Sequence, residues 1–384
     1  MCGAQTGKSR GGLGSQGKLR FFAISRPINP RQITALIKDH KGPGEMLRLL
    51  DQHGDDFNEI HCSSMWSALK RHPGWHSRGD GRRLVEPVAA VTARCLLEPE
   101  MDARGLANIS HGLAKSGCEG GRPPWGDVFD ALASESAQRV GEFIPQALAN
   151  TSWAFATAGH SAPALFDALA SASAPRVGEF NPQNLINTAW AFAADGADFA
   201  ERAELNSALA QRLEQSEHDL SELELRQVHQ WILWHREHGT APPVSAALVE
   251  RALAAFRASP TTPSKLQRSV GAVFAELGLQ PRGEVICEET GYSVDLVVTS
   301  QGGTEVAVEV DGPTHFLVGR DAHTPTGATL LKRRQLGALG WPRLVSVPYW
   351  EWDALSHGEG GASGRRERER AYLLEAVQIA DDAK

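Results

Sequence analysis

Three carboxylates near the end of this 384-residue chain stand where acid side chains are unusual. Asp295 interrupts the apolar run Val294-Asp295-Leu296-Val297-Val298. Glu309 and Asp311 close a second Val-rich run, followed at once by Gly312-Pro313-Thr314-His315-Phe316. Adjacent paired strands can bring these acids together, and clustered carboxylate oxygens are hard ligands suited to Mg²⁺. A metal held by Asp295, Glu309 and Asp311 could generate hydroxide and stabilise an in-line phosphoryl displacement. Lys332 is then the expected charge stabiliser. The same spacing allows a purely structural arrangement, with Asp311 capping a turn, Glu309 salt-bridged to Lys332 or Arg333, and His315 packed at a strand end. Arg320, Lys332, Arg333, Arg334 and Arg343 against the single Asp321 give residues 320–343 a local charge of +4. Phosphate contacts are expected on these five cations, because phosphate binding depends on concentrated Lys and Arg.

The elements that must position these residues follow from apolar patterning and Gly/Pro punctuation. Residues 264–277 read as an amphipathic helix stopped by Gly278, and 284–287 and 292–298 as short strands separated by Gly291. Gln301-Gly302-Gly303 is a hairpin turn into a strand over 305–310. Residues 329–339 read as a helix stopped by Gly340, and 343–347 as a last strand. The order α-β-β-β-α-β predicts an α/β sandwich over a small mixed sheet. Ala241-Pro242-Pro243 and Ser259-Pro260-Thr261-Thr262-Pro263 separate it from what precedes.

Upstream the chain repeats itself. Residues 127–159 align without gaps on 164–196 at 23 of 33 identical positions, with an offset of 37. Weaker copies flank them, so that positions 63, 108, 150, 187 and 227 are equivalent. Each unit reads as two helices: one over 164–177, a turn at Glu179-Phe180-Asn181-Pro182, and a second over 182–194 that ends at Gly196. Asn181 suits the N-cap, Pro182 the first helical position and Gly196 the C-terminal stop. Two short helices cannot bury their own apolar face, so the units must stack into an α-solenoid. Asn108, Asn150 and Asn187 recur at one phase. As buried amides they would bond neighbouring helix ends inside the stack, with base reading the lesser alternative. The recurring Trp153 and Trp190 read first as core, and Trp231, Trp234, His235 and His238 as the cap of the array.

Composition narrows the function classes. No apolar run approaches the ~18 residues of a membrane-spanning helix, and no membrane role is expected. Five scattered cysteines without a CxxC pair exclude a disulfide scaffold and a cysteine zinc cluster. Net charge is −7, but residues 1–38 hold seven Lys or Arg and no acid, which puts −14 on the remainder. So acidic a body can meet nucleic acid only through a local patch. The first thirty residues, rich in Gly, Ser, Lys and Arg without an apolar core, fit an organelle transit segment or a basic tail. Gly3-Ala4-Gln5-Thr6-Gly7-Lys8-Ser9 has three residues between its glycines where a phosphate loop needs four.

Tyr292-Ser293-Val294-Asp295-Leu296-Val297-Val298, Val308-Glu309-Val310-Asp311-Gly312-Pro313-Thr314-His315-Phe316, Thr329-Leu330-Leu331-Lys332-Arg333-Arg334-Gln335-Leu336, Leu339-Gly340-Trp341 and Val347-Pro348-Tyr349-Trp350-Glu351-Trp352 closely resemble the RAP domain. The resemblance covers about residues 264–355. Upstream, Phe57-Asn58-Glu59-Ile60-His61 and the repeated LANTSWAFA unit resemble the helical arrays of octotricopeptide-like and FAST-kinase-like RAP proteins. The resemblance implies a soluble mitochondrial or chloroplast RNA-binding factor acting in transcript processing, stability, splicing or translation. RAP domains are similar to the PD-(D/E)xK nuclease fold, whose carboxylates fall on Asp295 and Glu309. Its lysine position falls on Asp311, a departure from an active site that Lys332 could repair only if its helix points inward. His315 is a proton shuttle by analogy. No cofactor is expected beyond Mg²⁺ at an active nuclease-like site.

The whole chain is therefore expected to be multidomain. Residues 1–30 form a basic segment, 31–258 an α-helical repeat array, 264–355 a RAP-type α/β domain, and 356–384 a charged tail whose run 364–371 is a solvated helical face. Its expected partner is single-stranded organellar RNA. The competing readings are a metal-dependent RNA endonuclease using Asp295 and Glu309, and a protein-binding scaffold gripping its partner through the acidic surface.

Overall fold

The structure, a computed structural model, describes residues 29–72, 74–77, 79–118, 123–196, 202–300, 302–317 and 323–382. Nearly all of the expected basic segment, and Arg320, lie outside these residues. Six helix pairs come first: α1 (Pro30–Asp39) and α2 (Pro43–His53), α3 (Glu59–Leu69) and α4 (Gly79–Leu96), α5 (Ala103–Ser116) and α6 (Trp125–Gln138), α7 (Pro145–Ala158) and α8 (Pro163–Ser173), α9 (Pro182–Asp195) and α10 (Ala203–Gln215), α11 (Glu222–Glu237) and α12 (Ala246–Arg257). The odd-numbered helices pack side by side as one layer, the inner one in that the second region packs against it, and α2, α4, α6, α8 and α10 follow each other in a second. This is the expected α-solenoid, with α1–α2 a further pair that self-comparison of the sequence had not shown.

Local chemistry sets the helix ends. Asn181 caps α9 by accepting the Asn184 N–H at 2.8 Å, Pro182 occupies the first turn, and Gly196 takes the left-handed conformation that ends it. The first helix of this unit is shorter than expected, closing at Ser173 and passing into a 3₁₀ turn over Ala174–Glu179. Pro175 has no N–H to continue the α-helical ladder. Its equivalent in the preceding unit is Gln138, and α6 runs two residues further. Between the layers Trp66, Trp190, Trp231, Trp234, Phe155 and Phe192 are buried, Trp190 as expected of a core residue, whereas Trp153 is only half-buried and departs from that expectation.

The second region is built from α13 (Lys265–Glu276), β1 (Arg282–Ile286), β2 (Ser293–Thr299), β3 (Glu305–Asp311), α14 (Gly327–Leu339), β4 (Leu344–Pro348), α15 (Tyr349–Ala354) and α16 (Gly361–Asp382). This contains the expected α-β-β-β-α-β order. The strands lie in the order β1-β2-β3-β4, antiparallel except for the parallel β3–β4 pair. On one face Leu296, Val298, Val306, Val308 and Val347 share a core with Val270 and Phe274 of α13 and Leu373 and Val377 of α16. Helix α16 therefore corrects the expectation of a solvated tail. Glu369 is buried and paired to Arg365 and Arg366, while Arg366 and Arg370 reach Glu276 on α13.

The other sheet face meets the solenoid directly. Leu233 of α11 lies in a core with Val297, Ala307 and Leu336, and Leu331 of α14 is fully buried in the solenoid's own core. Helix α14 crosses near the C-terminal ends of α7 and α9 and packs on α11. A Cβ at Gly327 would run into the carbonyl oxygen of Ala156 on α7, so only glycine permits this approach. Among the described residues no helix is long and apolar enough to cross a membrane.

Candidate nucleic-acid interface and the carboxylate cluster

The register Leu296↔Val308 sets Asp295 opposite Glu309, on the sheet face that α14 covers. Strand alternation puts Asp311 on the same face, and the parallel register brings Ser346 beside Glu309. The three acids thus converge, as their spacing suggested. What they meet is protein. Asp295 Oδ2 accepts the Val310 N–H at 2.7 Å. Glu309 Oε2 accepts from Lys332 Nζ at 2.5 Å. Asp311 accepts from Arg333 at 2.6 Å and Ser346 Oγ at 2.5 Å, with His315 Nδ1 at 3.0 Å.

Electrostatics separate the acids. Burial pushes Glu309 up to about 7 even though the Lys332 ammonium pulls the other way, and its Oε1 is buried without a hydrogen-bond partner. Burial also raises Asp295, against the Val310 N–H. Burial would raise Asp311 as well, but hydrogen bonds from His315, Ser346 and Arg333 prevail and hold it at about 2. The bond to Asp311 in turn raises His315 above its ordinary value.

The metal expectation for Asp295, Glu309 and Asp311 does not fit this donor set. Among the described residues no group of three or more His, Cys, Asp and Glu side chains is arranged to hold a metal ion. The Lys332 ammonium sits on one carboxylate and the Arg333 guanidinium on another, supplying the charge compensation that a cation would provide.

The basic patch is reorganised as well. Lys332 and Arg333 turn inward onto those acids. Arg334 pairs with the buried Glu237 of α11 at 3.0 Å and donates to the carbonyls of Ala193 and Ala194 at the end of α9. A guanidinium suits a helix C-terminus, where carbonyls carry partial negative charge. Arg343 stands apart: it lines a separate cavity with Arg282, Glu288 and Glu305, three residues and about 10 Å along the strand from Ser346. Among the described residues the expected phosphate contacts are therefore not gathered into one surface.

The repeats provide a different candidate. Ser63, Asn108, Asn150, Asn187 and Gln227 occur once on each of the successive inner helices α3, α5, α7, α9 and α11, and all five are half-buried. They are not enclosed amides bonding helix ends. Asn108 donates to Ser63 Oγ at 3.2 Å, one helix across, and Asn187 accepts from Gln183 at 2.8 Å. Ser63 and Asn108 line a cavity of about 570 Å³ with Arg71 and Arg104. Two further features carried no clear sequence signal. A relay runs from Trp190 to Gln230, Tyr292 and Gln335, tying solenoid to sheet. Lys70 at the C-terminal cap of α3 gathers with His111 and Lys115 of α5 and Trp153 of α7. Reading positions three and seven residues beyond the repeat asparagines would have found His111, Lys115 and Trp153.

Fold and site together define an α-solenoid closed by a small α/β domain that inserts a helix among the repeat ends. Residues 308–360 match the RAP domain family model. Over 92 residues the chain is 38% identical to the chloroplastic RAP domain-containing protein of Oryza sativa subsp. japonica. That stretch is 24% of this chain and 13% of the rice protein's length. The chain thus carries a RAP domain behind helical repeats, the organisation that its motifs resemble.

Proposed function

We propose that this protein is an organellar RNA-binding factor that grips single-stranded RNA along the inner helices of its repeat array, with the RAP domain fixing the end of that surface. The observation that carries this reading is the row of half-buried amide and hydroxyl groups at Ser63, Asn108, Asn150, Asn187 and Gln227. An elongated array presenting one polar side chain per repeat suits an extended ligand, and unstacked bases expose hydrogen-bonding edges that such groups can read. The chloroplast named for the rice relative and the acid-free N-terminus support an organelle. Processing, stability or translation of a transcript is the role this implies.

The test is binding of labelled single-stranded RNA to the full chain at about 50 mM salt, with salt titration. Saturable binding that duplex RNA of the same sequence does not match supports the proposal; no binding at that salt removes it. Charge reversal at Arg333 or Arg334 is unsuitable here, because each holds an intramolecular acid.

The endonuclease reading keeps one specific support, the cross-strand pairing of Asp295 and Glu309 with Lys332 against them. It requires Mg²⁺-stimulated cleavage that disappears in both Asp295→Ala and Glu309→Ala. The Lys332 and Arg333 pairings favour a structural role for these acids. A scaffold function would appear as partner capture that survives RNase.

A further inference from the structure

Among the described residues the ion pairs join Lys, Arg or His to a carboxylate, but one place on the inner surface collects cations. The Lys70 ammonium lies 3.4 Å from His111 Nδ1 on the neighbouring inner helix. Lys115, one helical turn beyond His111, places its ammonium 4.8 Å from the ring centroid of Trp153 on the next helix. His111 meets the same indole edge-on, with ring centroids 5.4 Å apart. Burial together with Lys70 and Lys115 holds His111 down at about 4, and among the described residues no carboxylate contributes to that environment. Lys70 is itself lowered by burial and by Lys115. The imidazole is consequently neutral at pH 7. With Nδ1 facing the Lys70 ammonium, its proton belongs on Nε2, which is a third donor.

We propose that Lys70, His111, Lys115 and Trp153 form a subsite for one nucleotide of single-stranded RNA, taking a phosphodiester on the two ammonium groups and His111 Nε2, and the adjoining base on the indole. The proposal rests on the RNA-binding reading above and assigns it a location. Lys70 and Lys115 repel one another with no acid beside them among the described residues, and such like charges are relieved by an anion. Trp153 is half-buried, unlike the enclosed Trp66, Trp190 and Trp231, and so keeps ring surface for a ligand. Lys115 is exposed. Base stacking on an aromatic ring is stronger than an exposed cation–π contact, so an arriving base displaces the ammonium from the ring towards the phosphate. Asn108 and Asn150 lie three residues before His111 and Trp153, on the same helix faces, within the row available to read base edges.

The experiment measures polarisation of labelled oligouridylate of about 12 nucleotides on the full chain, across a salt series. Lys70→Gln/Lys115→Gln should weaken binding at least tenfold at about 50 mM salt and reduce the log–log salt slope by about 0.7 for the phosphate no longer contacted. Trp153→Ala should weaken binding several-fold with the slope unchanged. Lys115→Gln alone changes only an exposed side chain and should lower affinity at an unchanged melting temperature. If wild type binds and Lys70→Gln/Lys115→Gln binds equally well with the same slope, the subsite is wrong while the RNA-binding function stands. If wild type itself fails to bind, the broader reading falls and the subsite with it.

Discussion

The covered face of the sheet and the inner layer of the repeats treat polar side chains in opposite ways. Against the sheet, Glu309 and Asp311 are enclosed, Asp295 beside them is half-buried, and Lys332 and Arg333 are turned inward onto the two enclosed acids. Along the repeats, amides, hydroxyls and lysines stay at the surface, and several contact one another without consuming their hydrogen-bonding capacity. The chemically conspicuous region thus reads as a structural joint, and the modest-looking region as the surface open to a ligand. Local charge in a sequence is a poor guide to binding when acids from other strands lie within reach of it.

The comparison is broken most severely at the joint itself. Gly327→Val should destabilise the protein by more than about 4 kcal/mol or prevent folding, since the new side chain meets the backbone of α7. Thermal unfolding and limited proteolysis would show it; a normal melting temperature would mean that α14 does not press on α7. Lys332→Ala should cost about 3–5 kcal/mol, the usual penalty for removing one partner of a buried pair, because Glu309 is only 2% exposed. Arg334→Ala should cost about 1.5–3 kcal/mol through loss of charge-assisted hydrogen bonds, without altering the salt dependence of RNA binding.

A pH series sharpens the same contrast. Folding raises the Glu309 value from its usual 4.5 to about 7, so the folded state holds this proton more tightly than the unfolded one. That contribution is fully present below pH 4.5 and is lost as pH rises through about 7. Glu309→Gln should flatten this part of the stability profile. Asp311 has the opposite sign: its stabilisation is present above 3.8 and fades as pH falls through about 2. The smallest expected effect is on the repeats, where Asn150→Ala should move stability by less than about 0.5 kcal/mol while lowering RNA affinity a few-fold. A melting temperature shift as large as that of Arg334→Ala would show that this row is part of the core instead.

Much of the architecture was legible because its signals are local. The near-duplicate residues 127–159 and 164–196 set the repeat, Asn181-Pro182 and Gly196 bounded its second helix, and alternating Val residues marked β2 and β3. Even the pairing of Asp295 with Glu309 could be anticipated, since a hairpin relates consecutive strands in a simple register. The pair α1–α2 was less visible, because residues 30–53 carry no close copy of the LANTSWAFA unit. The role of α16 was hidden too, as its dense charges looked solvated until Glu276 of α13 supplied partners.

The sequence by itself determined most of the elements, their order and the residues able to carry charge or to donate and accept hydrogen bonds. Those properties depend on side-chain identity and on contacts a few positions apart. Tertiary structure alone decided which groups remained available. Arg334 found Glu237 across 97 residues, Lys332 settled on Glu309, and Lys70, His111 and Trp153 met from three different helices. Charge is short-ranged in salt water but strong where water is excluded, so the packing of distant segments determines whether a cation closes a joint or faces a ligand.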